Sequence, residues 1–135
     1  MEIDGRELIR NANYLRVNRL LIKKIGGLEA ILLTELIDWE EYLIKEKMIS
    51  DGDPFFYTHE KIKDRLGYST PTISRYLNIL ENLGLLSIEK ENRLPKRNMY
   101  KLNTKTISIL IQELYKEKEE QKDAFKEHFA RSKEM

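Results

Sequence analysis

The chain has 135 residues, 41% apolar and 35% charged, with 24 Lys and Arg against 23 Asp and Glu for a formal charge of +1. That size fits one domain with a modest core, and the absence of cysteine excludes a disulfide framework and a thiolate metal site. Apolar runs of only a few residues fall far short of the ~20 that a membrane helix needs. The acidic start Met1-Glu2-Ile3-Asp4 is not that of a signal peptide, so a cytoplasmic protein without a membrane partner is expected.

Taken in chain order, Val17, Leu20, Leu21 and Ile25 are spaced for one face of a short helix, which Gly26-Gly27 interrupts. A long helix is expected from about Leu28 to Lys47, with Ile31, Leu32, Leu36, Trp39 and Leu43 as its apolar stripe. Asp38, Glu40 and Glu41 fall on this helix and read as a solvated face. Ser50 to Pro54 is a turn, and Phe55-Phe56-Tyr57 a short strand whose aromatics read as packing groups.

The stretch from Thr58 to Leu86 spells two short helices with specific punctuation. Thr58 can cap the first, Ile62 and Leu66 share a face, and Gly67 is a C-terminal stop. Ser69 or Thr70 can cap the second, and Pro71 suits its first turn, where a missing N–H does no harm. Ile73, Leu77 and Leu80 form its buried face, and Gly84 ends it. The turn of about four residues is that of a helix-turn-helix. The other face of the second helix offers Ser69, Thr70, Thr72, Ser74, Arg75 and Asn78, with no acid between Thr70 and Leu80. Short hydrogen-bonding groups and one guanidinium suit a helix whose first turns meet base edges in a polyanionic groove.

A hairpin follows: a strand around Leu85 to Glu89, a loop from Asn92 to Asn98 and a return strand from Met99 to Leu102. The loop carries Arg93, Lys96 and Arg97 and no acid, a composition that can lie along phosphates or enter a minor groove. Charge is uneven along the chain. Residues 1–56 sum to −3, residues 57–105 to +5 and residues 106–135 to −1. The positive third coincides with the two short helices and the hairpin, the electrostatic footprint of a nucleic-acid binder.

Thr104 to about Arg131 reads as a second long helix capped by Thr104, with Ile107, Leu110, Ile111, Leu114 and Tyr115 as its stripe. Phe125 and Phe129 resume an apolar face after a polar stretch. Such a helix outruns a small domain, so Leu114, Phe125 and Phe129 are the expected contacts with a second copy of the chain. The N-terminal helix around Leu20 and Leu21 is the alternative seam.

The expected fold is therefore mainly α with a small antiparallel β-sheet, a winged helix-turn-helix with extra helices at both ends. Residues 1–27 are read as a helical extension, 28–103 as the winged helix and 104–135 as a helix for dimerisation. The runs GGLEAILLTELIDWE, FFYTHEKIKDRLGYSTPTISRYLNILENLGLLSIEKE and RLPKRNMYKLN, within about Tyr14 to Asn103, resemble the winged-helix domain that opens DnaD-type primosomal proteins, phage replisome organisers and small plasmid or phage replication proteins. The second run also resembles small winged-helix transcription regulators. The resemblance implies that Thr70, Thr72, Ser74 and Arg75 face a major groove and that Arg93, Lys96 and Arg97 sit on the wing. In contrast to the replication proteins, only a helix of about 30 residues follows the hairpin.

Nothing in the sequence points to catalysis. His59 and His128 are 69 residues apart, Gly26-Gly27 lacks the Lys-Ser/Thr of a phosphate loop, and no metal-ligand spacing occurs. The expectation is a non-enzymatic protein without cofactor, metal or small-molecule ligand. Its expected partner is double-stranded DNA, bound as a homodimer by a transcription regulator. The alternatives are a replication initiator or organiser and a winged-helix module for an acidic protein.

Overall fold

A computed structural model describes residues 4–11, 13–91, 94 and 97–134. Among the described residues, six helices and one hairpin run in the order α1 (Gly5–Ile9), α2 (Arg19–Ile25), α3 (Gly27–Lys45), α4 (His59–Leu66), α5 (Thr70–Asn82), β1 (Leu86–Lys90), β2 (Asn98–Leu102) and α6 (Thr104–Glu134). The core joins Leu32, Leu33 and Leu36 of α3 to Ile62 of α4, Ile73, Leu77 and Leu80 of α5, and Tyr100 and Leu102 of β2. This is the winged helix-turn-helix read from the sequence, with added helices before and after it.

Local signals set most boundaries. Asn18 caps α2 by accepting from the Leu20 and Leu21 amides, at 2.9 and 3.2 Å. Gly26 separates α2 from α3 with φ +106°, a backbone state that a side chain rarely adopts, and the Glu29 carboxylate folds against it. Thr58 caps α4 through the Lys61 amide at 3.1 Å, and Gly67 ends α4 in the left-handed conformation.

Four expectations are revised. A short helix, α1, forms where none was read, capped by Asp4 accepting from the Arg6 amide. The strand at Phe55 shrinks to a single antiparallel bridge: Phe55 and Tyr100 exchange both backbone bonds, at 2.9 and 2.6 Å, and the ladder goes no further, although Phe55 and Tyr57 still point into the core and Phe56 outward as in a strand. The cap of α6 is Asn103 rather than Thr104: its Oδ1 accepts from the Thr106 amide at 3.2 Å. Leu114, expected in a seam between copies, is buried within the chain, with 8% of its surface exposed. It is buried because α2 packs between α3 and the first turns of α6, where the Asn18 amide donates to the Tyr115 hydroxyl at 3.2 Å. The same packing buries Leu21, so the alternative seam on α2 has lost its central residue too.

Beyond Tyr115, α6 leaves the domain. Its 31 residues span about 46 Å at the α-helical rise. The described side chains after Leu114 are exposed, including Phe125 at 69% and Phe129 at 52%. Those two rings stack on each other, 6.3 Å between centroids.

Candidate nucleic-acid interface

The second helix of the motif, α5, is built as its sequence dictates. Ser69 is its cap; the Thr72 amide donates to Ser69 Oγ at 3.4 Å, and the two hydroxyls bond each other at 2.8 Å. Pro71 occupies the first turn. Ile73, Leu77 and Leu80 are buried, which turns the opposite face of the helix outward. Arg75 and Asn78 are exposed on that face, Thr70 is exposed near its start, and Ser74 is half-buried at its edge. Ser69 and Thr72 hold the cap together, so their hydroxyls are already engaged. Asn82, seven residues after Arg75, was not among the residues expected from the sequence; it lies on the same outward line and is exposed. The Arg75 guanidinium lies 5.9 Å from the Tyr76 ring centroid, and Tyr76 meets Tyr68 edge-on. No acid occupies the first turn of α5.

The hairpin pairs Leu86 with Leu102, Ile88 with Tyr100 and Lys90 with Asn98. One further bond, from the Glu91 amide to the Arg97 carbonyl at 2.8 Å, closes the base of the loop. Arg97 is held at that base rather than on the tip. It is ion-paired with Glu91, and its guanidinium covers the Phe56 ring at 3.8 Å from the centroid. Its charge is thereby largely neutralised by a neighbour that the sequence reading of the loop did not include. Arg93 and Lys96 lie outside the described residues. Lys90 and Lys101 on the strands are exposed cations.

A buried polar cluster holds α4 against α3. Glu35, 3% exposed, accepts from the Tyr57 hydroxyl at 2.7 Å and forms an ion pair with Arg65. Burial and the bond to Glu35 push the Tyr57 phenol far above its ordinary range, and the bond to Glu35 raises Arg65 further. Glu35 carries no sign of this role in the sequence, since a glutamate on an amphipathic helix is ordinarily solvated. Among the three carboxylates assigned to a solvated face, Glu40 is buried instead. Burial, then Asp51 and Glu41, push its carboxyl above the ordinary range. Asp38 and Glu41 are exposed as expected. Burial also raises Asp38, aided by Glu35.

His59 is half-buried against the Tyr100 hydroxyl, 3.4 Å from its Nε2, and burial lowers its pKa. His128 is exposed on the projecting part of α6. No group of three metal-ligating side chains occurs among the described residues, and no helix there is long and apolar enough to cross a membrane.

No protein-family model matches the chain, and neither does any curated protein sequence. Among solved structures, it resembles one described as the N-terminal domain of a DNA-binding protein. That match has a TM-score of 0.55 at 19% identity and covers 84% of this chain and 94% of the other. A second resemblance is to a Rep–DNA complex, with a TM-score of 0.55 at 20% identity over 76% of this chain and 82% of that one. At these identities the likeness is one of fold.

Proposed function

We propose that this protein binds double-stranded DNA in a sequence-specific way, entering the major groove with α5. The observation that carries the proposal is the outward line of Arg75, Asn78 and Asn82 on a helix whose opposite face is locked into the core. Such a helix has a fixed orientation, and its side chains match the donor and acceptor pattern of base edges. The hairpin that follows offers exposed cations for the backbone. The two structural neighbours agree with this reading, since one is described as DNA-binding and the other is a complex with DNA.

The chain acts as a homodimer in this reading, with α6 beyond Tyr115 joining two copies. A single recognition helix reads few base pairs, and a symmetric pair reads two half-sites about 34–36 Å apart. The process served is transcription regulation or replication, and the Rep neighbour favours the second. No cofactor, metal or catalytic step enters the proposal.

Selection of bound sequences from a random duplex library, followed by anisotropy titrations of the selected and a scrambled duplex, tests it. A selected site bound at least tenfold tighter than the scrambled one is expected. Binding to neither duplex at moderate salt overturns DNA binding and leaves a protein-binding module. A selected site found as one inverted repeat favours a regulator, and tandem repeats favour an origin-binding protein.

A further inference from the structure

From Leu8 to Leu28 the chain carries Arg10, Arg16, Arg19, Lys23 and Lys24 and no acid. The acids that make the first third of the sequence negative all lie before this stretch or from Glu29 onward. A sum over residues 1–56 therefore conceals a basic segment followed by an acidic one. Arg16, Arg19, Lys23 and Lys24 are exposed, on α2 or just ahead of it. Arg19 and Lys23 are one turn apart and opposite the buried Leu21, so they face away from the protein. None of these four cations forms an ion pair among the described residues. The nearest acid in sequence, Glu29, folds back against Gly26.

The fold links this helix to the start of the recognition helix through the first turn of α3. Gly26 alone joins α2 to α3, and the Leu28 carbonyl at the start of α3 accepts from the Tyr68 hydroxyl at 3.3 Å. Tyr68 immediately precedes Ser69, the cap of α5. The C-terminal end of α2, at Ile25, is thus three residues along the chain from a contact with the turn where the recognition helix begins, while the hairpin departs from the turn where that helix ends.

We infer that α2 is a second backbone clamp: Arg16, Arg19, Lys23 and Lys24 bind phosphates of the duplex that flanks the major-groove site, beyond the N-terminal end of α5. The inference rests on the DNA-binding reading above. Charge complementarity makes the occupant a polyanion, and the tie from α2 through Leu28 and Tyr68 to the start of α5 makes that polyanion the backbone of the same duplex. Contacts of this kind position the protein and carry no base preference.

The test replaces all four cations by Gln and measures affinity against salt on two forms of the selected duplex. One is a minimal form, and the other is extended by about one helical turn, or about 10 base pairs, on each side. On the extended duplex the slope of log affinity against log salt is expected to flatten by about 0.9 for each lost phosphate contact. The minimal duplex should respond less, and the ratio of selected to scrambled affinity should hold. An unchanged slope on the extended duplex overturns the clamp while leaving the recognition helix intact. If the unaltered chain binds neither duplex, the DNA-binding reading itself has failed. Hydroxyl-radical footprinting of the unaltered protein gives a check independent of the variant's folding. Protection of backbone flanking the site is expected, and protection confined to the site overturns the clamp.

Discussion

Arg65, in the last turn of α4, donates through its Nε to Glu35, which is buried in the middle of α3. The pair ties the first helix of the helix-turn-helix to the core helix, on which α5 packs directly through Ile73, Leu77 and Leu80. Removing one partner of a buried ion pair costs about 3–5 kcal/mol. The Arg65 side chain is 54% exposed, so water screens part of the loss, and about 2 kcal/mol is expected for Arg65→Ala. Tyr57→Phe should cost about 1 kcal/mol. Urea denaturation of both single variants and the double variant measures the coupling. Additive losses would show that the three groups do not act as one cluster.

Arg75 is the charged residue on the outward face of α5, and a guanidinium can bind guanine O6 and N7 together. Arg75→Ala is expected to cost roughly 1–3 kcal/mol on the selected duplex and little on a scrambled one. Equal losses on both would mean that Arg75 touches only phosphate.

Arg97 presents a different expectation from its neighbours in the loop. Its charge is paired with Glu91 and its guanidinium stacks on Phe56, so Arg97→Ala should lower stability by about 1 kcal/mol and leave the salt slope of binding unchanged. Arg93→Ala with Lys96→Ala should instead flatten that slope by up to about 1.8. Thermal melts and salt titrations of the two variants separate the roles.

Glu40 has a folded-state pKa raised by burial. The folded state therefore holds the proton more tightly than the unfolded chain, and the ionised carboxylate costs stability at neutral pH. That cost fades as pH falls through the raised pKa into the ordinary carboxylate range. Glu40→Gln should accordingly raise Tm at pH 7, with the advantage shrinking as the pH is lowered towards 4. A variant less stable than the parent at pH 7 would show that the ionised group makes a favourable contact.

Deleting residues 119–135 removes Phe125 and Phe129 but keeps Leu114 and the first turns of α6 that pack on α2. The truncated chain should melt within a few degrees of the parent, yet sediment as a monomer where the parent is a dimer. It should also bind a two-half-site duplex at least tenfold more weakly. A full-length monomer, or a truncated dimer, would remove the distal helix from the proposal.

The sequence by itself determined the elements whose signals are local. Caps at Thr58 and at Ser69 or Thr70, stops at Gly67 and Gly84, and the 3.6-residue recurrence of Ile73, Leu77 and Leu80 depend on backbone and side-chain chemistry within a few residues. They therefore sufficed for the motif and for the outward position of Arg75 and Asn78. What only the tertiary structure decided depends on residues far apart in the chain. Glu35 becomes a core group because Tyr57 and Arg65 arrive 22 and 30 residues later to satisfy its oxygens. Leu114 is lost to any seam because α2 returns to cover it, and Arg97 loses its free charge to Glu91 across the hairpin. The basic face of α2 was legible in the order of residues from Leu8 to Leu28, although a charge sum over the first third hid it. Its tie to the start of the recognition helix was not, because that depends on the contact of Tyr68 with Leu28, 40 residues away, which periodicity does not encode.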